Sequence, residues 1–315
     1  MTKRRPASRG VKNAGGRARL ITAALLGRLP LPEPDEGGSK EERGRVLVVA
    51  GSPEMPGAAV LAATAAARAG AGKLQIATAE SVARLVAVAV PEARVFALPE
   101  AGEGALDPAG VARISDYVRE ARAVLVGPGM CGGSGIARVT RALLPHVGEG
   151  ATLVLDADAL NVLAAEPRLL APLRGRCVLT PHTTEMSEMT GIEEDEIKND
   201  PASAARGAAR LFGATVALKG RETFVAAPDA AEVYVNRAGN VGLATSGSGD
   251  TLAGLVSGLA ARGADPVRAA VWGVHVHALA GDALARSAGT LGYLARELPA
   301  EFPRLMARLG PEKKR

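Results

Sequence analysis

Cysteine is scarce. Cys131 and Cys177 are the two cysteines of a 315-residue chain, far apart and in no CxxC pair. That excludes a disulfide scaffold and a cysteine-built zinc site, and it fits a reducing cytoplasm. Aromatics make up 3% of the chain, which leaves little on which bases of a nucleic acid could stack. No apolar run approaches the ~20 residues that cross a bilayer. The alanine-rich stretch 58–72 is too short for that and is broken by Arg68. The amino terminus lacks a long apolar h-region and a clean cleavage site, so no export is expected. Acidic residues are also missing from the first thirty positions, where Lys3, Arg4, Arg5, Arg9, Lys12, Arg17, Arg19 and Arg28 all lie.

Against a formal net charge of +5, those eight cations leave the rest of the chain at −3. The high pI therefore reflects a tail on a mildly acidic body. Residues 1–43 read as a basic, disordered leader and linker, with one short helix near Ile21–Leu29 and the Pro- and Gly-dense "LPLPEPDEGGSK" behind it. A basic tail can hold nucleic acid, and such binding would be strongly salt-dependent and disappear without residues 1–30. The plainer reading is a solvated leader, with neither nucleic acid nor membrane as partner. The length suffices for one large α/β domain or two small ones, and residues 44–315 are read as one.

From Arg45 onward a repeated pattern is present: a short apolar run, a glycine loop, then an alanine-rich segment of helical character. The runs are "RVLVVA" (45–50), "KLQIAT" (73–78), "AVLVG" (123–127), "TLVLD" (152–156), "CVLT" (177–180) and "TVALK" (215–219). Short runs that are apolar throughout suit strands buried on both faces, so a mainly parallel sheet flanked by helices is expected. "ETFVAAP" and "AEVYVN" read as a hairpin or meander, and the chain from Gly249 reads as helical. Several runs end in polar or glycine loops: Gly51-Ser52-Pro53, Gly127-Pro128-Gly129, Asp156-Ala157-Asp158, Thr180-Pro181-His182 and Lys219-Gly220. Ligands of open α/β sheets sit beyond the carboxyl ends of the strands, so these loops should converge.

The stretch "SGSGD" (246–250) opens an apolar helix. Glycines let an anion approach the unpaired N–H groups of a helix start. Asp250 would repel that anion, so phosphate binding alone does not explain it. In phosphoryl transfer a carboxylate takes the proton of the acceptor hydroxyl while backbone groups hold the phosphoryl. Asp250 then faces the acceptor, although a simple helix cap is equally compatible with four residues. In "LKGRET" (218–223), Lys219 and Thr223 could hold nucleotide phosphates or form an exposed turn. Asn236 and Asn240 in "NRAGN" are candidate polar ligands or turn formers. His275 and His277 are two apart on an expected helix and so face different ways, which argues against a metal pair. Both read as ordinary helix residues, and "EEDE" (193–196) as a solvated helix start.

The blocks "VVAGSPEMPGAAVLAATAAARAGAGKLQIAT", "VGPGM", "LVLDADALNVLA", "LTPHTTEMSEMTG", "LKGRET" and "GLATSGSGDTLAG" occur in that order. Together they resemble the ADP- or ATP-dependent NAD(P)H-hydrate dehydratases, a branch of the ribokinase-like superfamily, over residues 44 to about 305. The resemblance implies a central, mainly parallel sheet with helices on both faces. It implies repair of the C6-hydrated nicotinamide of NADHX and NADPHX, with ADP (or ATP) as co-substrate and Mg2+ as cofactor. Ala58, Gly129, His182 and Asp250 would contact the hydrate. Lys219, Gly220, Arg221, Glu222, Thr223 and Gly249 would contact the adenine nucleotide, and Asp250 would be the catalytic base. Asp156 and Asp158 would orient substrate or a hydrated magnesium ion, or else cap the helix near Ala159. A cytoplasmic homotetramer working beside a separate NAD(P)H-hydrate epimerase is the corresponding expectation.

Two departures stand out. Thr183 and Thr184 replace the usual Pro-Gly after "TPH", which puts the shape around His182 in question, and the turn reads SGSGD where GGTGD is usual. The main alternative is a small-molecule kinase of the same superfamily acting on a vitamin precursor or sugar. A non-catalytic nucleotide sensor predicts loss of the base, yet Asp250 is present.

Overall fold

Strand residues 46–49 alternate in destination. Val46 and Val48 pack into one apolar cluster while Leu47 and Val49 pack into another on the opposite face. That period of two is what a strand covered on both sides requires. A computed structural model describes residues 18–33, 37, 39–173 and 175–310. Its strands are β1 (Ala18–Leu20), β2 (Arg45–Val49), β3 (Lys73–Ala79), β4 (Ala93–Leu98), β5 (Ala123–Val126), β6 (Thr152–Leu155), β7 (Cys177–Leu179), β8 (Thr215–Leu218), β9 (Thr223–Ala226) and β10 (Val233–Asn236). They form one sheet in the order β1-β10-β9-β8-β7-β6-β5-β2-β3-β4. The run from β4 to β8 is parallel throughout. β9–β10 is antiparallel, in agreement with the hairpin reading, and β8–β9 is antiparallel as well.

Eight helices matter below: α1 (Ala23–Leu26), α2 (Pro56–Arg68), α3 (Ser134–Leu143), α4 (Thr183–Thr190), α5 (Pro201–Phe212), α6 (Ser248–Ala261), α7 (Pro266–Ala288) and α8 (Leu298–Leu309). The core on the face of Val46 is built from α1, α2, α6, α7 and α8; the core on the face of Leu47 is built from α3, α4 and α5. Helices therefore cover both faces, as expected. Among the described residues no helix is long and apolar enough to cross a membrane.

α2 and α6 approach unusually closely because both are made of small residues. A Cβ on Gly254 would lie 2.1 Å from the carbonyl oxygen of Ala62, and one on Gly258 would lie 2.4 Å from that of Ala66. That contact fixes where the amino end of α6 emerges at the sheet edge.

The amino-terminal segment corrects the expectation of a disordered stretch up to residue 43. Residues 1–17 lie outside the described residues, but β1 pairs in parallel with β10. The expected helix is also shorter, at Ala23–Leu26 with Thr22 as its cap. Ile21, Leu25 and Leu26 are buried in the core, and Leu26 is fully inaccessible. The indole Nε1 of Trp272 on α7 donates to the carbonyl of Leu29 at 2.6 Å. Arg262 donates to the carbonyl of Pro32 at 3.1 Å. A run of only three strand residues in a basic context has no legible period; the open edge of β10 and the apolar face of α7 recruit it.

Candidate active site

The carboxyl ends of β2, β5, β6, β7 and β8 lead into the polar and glycine loops singled out above. His182 and Lys219 form an isolated parallel bridge, three residues beyond the last pair of the β7–β8 ladder and in the same register. The N–H of Gly51 donates to the carbonyl of Pro128 at 2.8 Å, tying the loop after β2 to the loop after β5. Glycine is required in the latter. Gly127 has φ +128°, and a Cβ there would lie 1.9 Å from the carbonyl of Asp156. Gly129 has φ +61°, and a Cβ there would lie 2.4 Å from that of Ala58. Ala58, in the first turn of α2, and Gly129 thus touch across the edge.

After β6 the backbone makes a tight 3₁₀ turn over Ala157–Asn161. Ala157 sits at φ +50°, the one non-glycine residue with positive φ among the described residues. Such a conformation is disfavoured for a residue with a Cβ and is maintained by its surroundings. The turn carries Asp156, which is 2% exposed. Its side chain caps no helix, which removes the capping alternative for this residue. Instead it accepts from Thr180 Oγ1 at 2.6 Å and from Lys219 Nζ at 3.0 Å. Asp158 is exposed.

Lys219 also lies 3.7 Å from Glu185 Oε2. Burial pulls its pKa down, but Asp156, Glu185 and Asp250 outweigh burial and hold it above the ordinary lysine value. The side chain stays charged and is surrounded by carboxylates. Gly249 abuts it: a Cβ there would lie 3.4 Å from Nζ.

α6 begins after Gly247, which has φ +85° and no side-chain cap. The N–H of Ser248 donates to the carbonyl of Thr245 at 3.2 Å, and the N–H groups of Gly249 and Asp250 lie at the positive end of the helix dipole. Asp250 lies in that turn. Burial lifts its pKa from the carboxylate range to about 6; Asp156 and Glu185 add to the rise and Lys219 opposes it. A carboxylate poised there can take a proton near neutral pH.

His182 is the N-cap of α4. Its Nδ1 accepts from the N–H groups of Thr184 and Glu185 at 3.1 and 3.2 Å, and Glu185 Oε2 accepts from the N–H of His182 at 2.6 Å. This reciprocal cap fixes the ring. With Nδ1 accepting, the proton of a neutral ring resides on Nε2, which lies 3.5 Å from Glu185 Oε1. Thr183 and Thr184 occupy the first two positions of α4, so the departure from Pro-Gly leaves a well-capped helix.

Lys219–Thr223 form the turn between β8 and β9. Gly220 and Arg221 are exposed, and Glu222 pairs with Arg237 at 2.9 Å. Lys219 differs from its neighbours, because its ammonium points at Asp156 and Glu185. Among the described residues no group of three or more His, Cys, Asp or Glu side chains is arranged to hold a metal ion. His275 Nδ1 pairs with Asn236 Oδ1 at 2.8 Å, and His277 Nε2 pairs with Ser248 Oγ at 3.1 Å, so the two rings do face different ways. The Ser248–His277 pair and the Thr180 contact went unread in the sequence. Nothing in local spacing signals a partner on another element.

The mainly parallel sheet, with helices on both faces and a glycine turn at its carboxyl edge, is a ribokinase-like fold. A ribokinase-like superfamily protein from Enterococcus faecalis superposes with a TM-score of 0.80 over 96% of this chain and 99% of its own, at 23% identity. The chain belongs to the NAD(P)H-hydrate dehydratase family, which it matches over residues 46–304. It is 49% identical to the ADP-dependent (S)-NAD(P)H-hydrate dehydratase of Xanthomonas campestris, over 94% of this chain and 98% of that protein. The ADP/ATP-dependent NAD(P)H-hydrate dehydratase of Bacillus subtilis, co-crystallised with ATP/Mg2+, is 29% identical with a TM-score of 0.75, over 93% of this chain and 99% of that one. The chain spans about half the length of relatives described as bifunctional NAD(P)H-hydrate repair enzymes, for example 55% of that from Moorella thermoacetica.

Proposed function

We propose that the protein uses ADP or ATP to dehydrate the C6-hydrated nicotinamide of NADHX and NADPHX, returning NADH and NADPH. One observation carries the reading: Asp250, in the first turn of α6, lies within the electrostatic reach of the largely buried Lys219–Asp156 pair at the carboxyl edge of the sheet. The near full-length identity to the Xanthomonas protein supports a dehydratase over a vitamin or sugar kinase.

Ala58, Gly129 and His182 bind the hydrate, and Lys219–Thr223 with Gly249 bind the nucleotide. Asp250 removes the proton from the C6 hydroxyl. That oxygen attacks the terminal phosphorus, whose bond to the bridging oxygen breaks with its electron pair going to the departing nucleotide. The N–H groups of Gly249 and Asp250, in the first turn of α6, hold the transferring phosphoryl. Phosphate is a good leaving group where hydroxide is not. The ring-nitrogen lone pair expels it, and the iminium loses a proton from the neighbouring carbon to restore the dihydropyridine. With ADP the products are AMP, inorganic phosphate and the reduced nucleotide, so the water of hydration leaves within phosphate. A sugar alcohol has no such nitrogen, and its ester would persist.

Magnesium prefers one or two carboxylates plus substrate phosphates to an all-protein cage. We read the ion as arriving on the nucleotide, with Asp156 and Asp158, at the carboxyl end of β6, as its acidic candidates. When bound, it would neutralise phosphate charge. A cytoplasmic homotetramer, with a separate epimerase supplying the reactive epimer, completes the proposal. The working unit is the domain from about residue 44 with the docked 18–32 segment. The test is to supply chemically hydrated NADH with ADP or ATP and follow reduced-nicotinamide absorbance. Recovery that requires nucleotide is expected; no recovery, or a stable phosphorylated product, contradicts the proposal.

A further inference from the structure

His277 belongs to α7 and Ser248 is the first residue of α6, yet their side chains meet inside the protein. His277 Nε2 lies 3.1 Å from Ser248 Oγ. The residues are 7% exposed each. The second ring nitrogen, Nδ1, is buried without a hydrogen-bond partner. The ring of Phe302 on α8 stands 6.5 Å from that of His277, centre to centre.

The proton's position follows from what Nδ1 lacks. A neutral imidazole carries one N–H. Were it on Nδ1, a buried donor would be orphaned, which is rarer and costlier than an under-satisfied acceptor. The proton therefore resides on Nε2 and is donated to Ser248 Oγ. Burial, with Lys219 nearby as a smaller influence, pushes the His277 pKa down to about 4, so the ring is neutral at working pH.

Ser248 lies between Gly247 and Gly249, in the turn where the proposed reaction holds its phosphoryl group. The N–H of Ser248 donates to the carbonyl of Thr245 at 3.2 Å and Thr251 Oγ1 donates to the carbonyl of Gly247 at 2.9 Å, but the two flanking glycines have no side chain with which to tie the turn to another element. We infer that His277 is a positioning residue for this turn: its Nε2–H bond to Ser248 Oγ anchors the amino end of α6 to α7 and leaves the Ser248 hydroxyl proton unspent. The anchor holds the turn's N–H groups and Asp250 in one arrangement toward the nucleotide. The inference rests on the proposed function for its catalytic consequence. Its geometric consequence, a turn shaped for the nucleotide phosphates, can be read without the hydrate.

The test uses His277→Leu, His277→Gln and Ser248→Ala in the full chain, with the double variant of His277→Leu and Ser248→Ala. Glutamine places an N–H near the position of Nε2; leucine fills the space without a donor. ADP affinity is measured by calorimetry without hydrate, and kcat and KM with it. Losing the bond should weaken ADP binding about tenfold and lower kcat at least as much, with hydrate KM within about twofold. The double variant should be no worse than the poorer single one, and His277→Gln should recover most of the loss. Wild-type ADP affinity in Ser248→Ala, or additive losses in the double variant, would overturn the inference. If wild type fails to dehydrate the hydrate, the functional reading falls, while the ADP affinities still decide the role of His277. Melting curves identify a leucine variant that merely misfolds, in which case Ser248→Ala and His277→Gln carry the test.

Discussion

The ammonium of Lys219 lies 3.0 Å from the carboxylate of Asp156, a residue 63 positions earlier and almost wholly buried. The pair joins the loop after β6 to the loop after β8 and sets the electrostatics around Asp250. It also gives Lys219 a resting partner, so a phosphate that engages this lysine competes with two carboxylates for it.

Asp250→Asn keeps the size of the side chain and removes the base. Turnover should fall about 10²–10⁴-fold while nucleotide binding persists. The same change should stabilise the protein at neutral pH. A carboxylate whose folded pKa is raised binds its proton more tightly when folded, so stability falls as pH climbs from about 4 to about 6 and stays lower above. Allowing for solvent screening of this partly exposed group, the gain should be on the order of 1–2 kcal/mol. Denaturation at pH 5 and pH 8 checks the sign: the advantage of the variant should be larger at pH 8.

In the wild type, kcat should decline on acidification with a midpoint near 6, as Asp250 takes up its proton. Asp156→Asn removes one of the charges that raise this pKa and should shift the acid limb down. Lys219→Met removes the charge that opposes the rise and should shift it up, while leaving Asp156 buried and unpaired. Opposite shifts in the two pH profiles are the expected outcome; shifts of the same sign would contradict the assignment.

Gly254→Ala should destabilise by about 1–3 kcal/mol, because the new methyl meets the backbone of Ala62 and cannot be relieved by a rotamer change. Gly207→Ala, in the exposed middle of α5 with nothing within 4 Å, should stabilise by about 0.5–1 kcal/mol. Chemical denaturation of the two variants separates close packing from helix propensity.

Leu26→Ala should cost about 2–4 kcal/mol, the range for truncating a fully buried leucine. A cost below about 0.5 kcal/mol would show that the docked 18–32 segment contributes nothing to the core.

Much of this architecture was legible. The apolar runs at 45–50, 73–78, 123–127, 152–156, 177–180 and 215–219 each contain a strand, because burial on both faces leaves a dense local signal. β4 was missed: "ARVFAL" is an edge strand with an exposed arginine, and its half-covered surface breaks the run. β1 was missed because edge pairing, not its own sequence, makes it a strand. The convergence of Asp156, His182, Lys219, Gly249 and Asp250 followed from the rule of strand ends. Their pairing did not. Whether Asp156 caps a helix or meets Lys219 depends on the positive φ of Ala157 and the placement of β8, and no spacing encodes either. The Ser248–His277 contact was hidden for the same reason, since it depends on how α7 lies against α6.

If a kinase step on the hydrate ends in elimination of phosphate, the hydroxyl oxygen must leave within that phosphate. Hydrated NADH carrying heavy oxygen in its C6 hydroxyl tests it directly, by mass analysis of inorganic phosphate after turnover with unlabelled ADP. One labelled oxygen is expected in each phosphate released. Label emerging in water instead would mean that the alcohol was never phosphorylated and that Asp250 and its glycine turn serve another step.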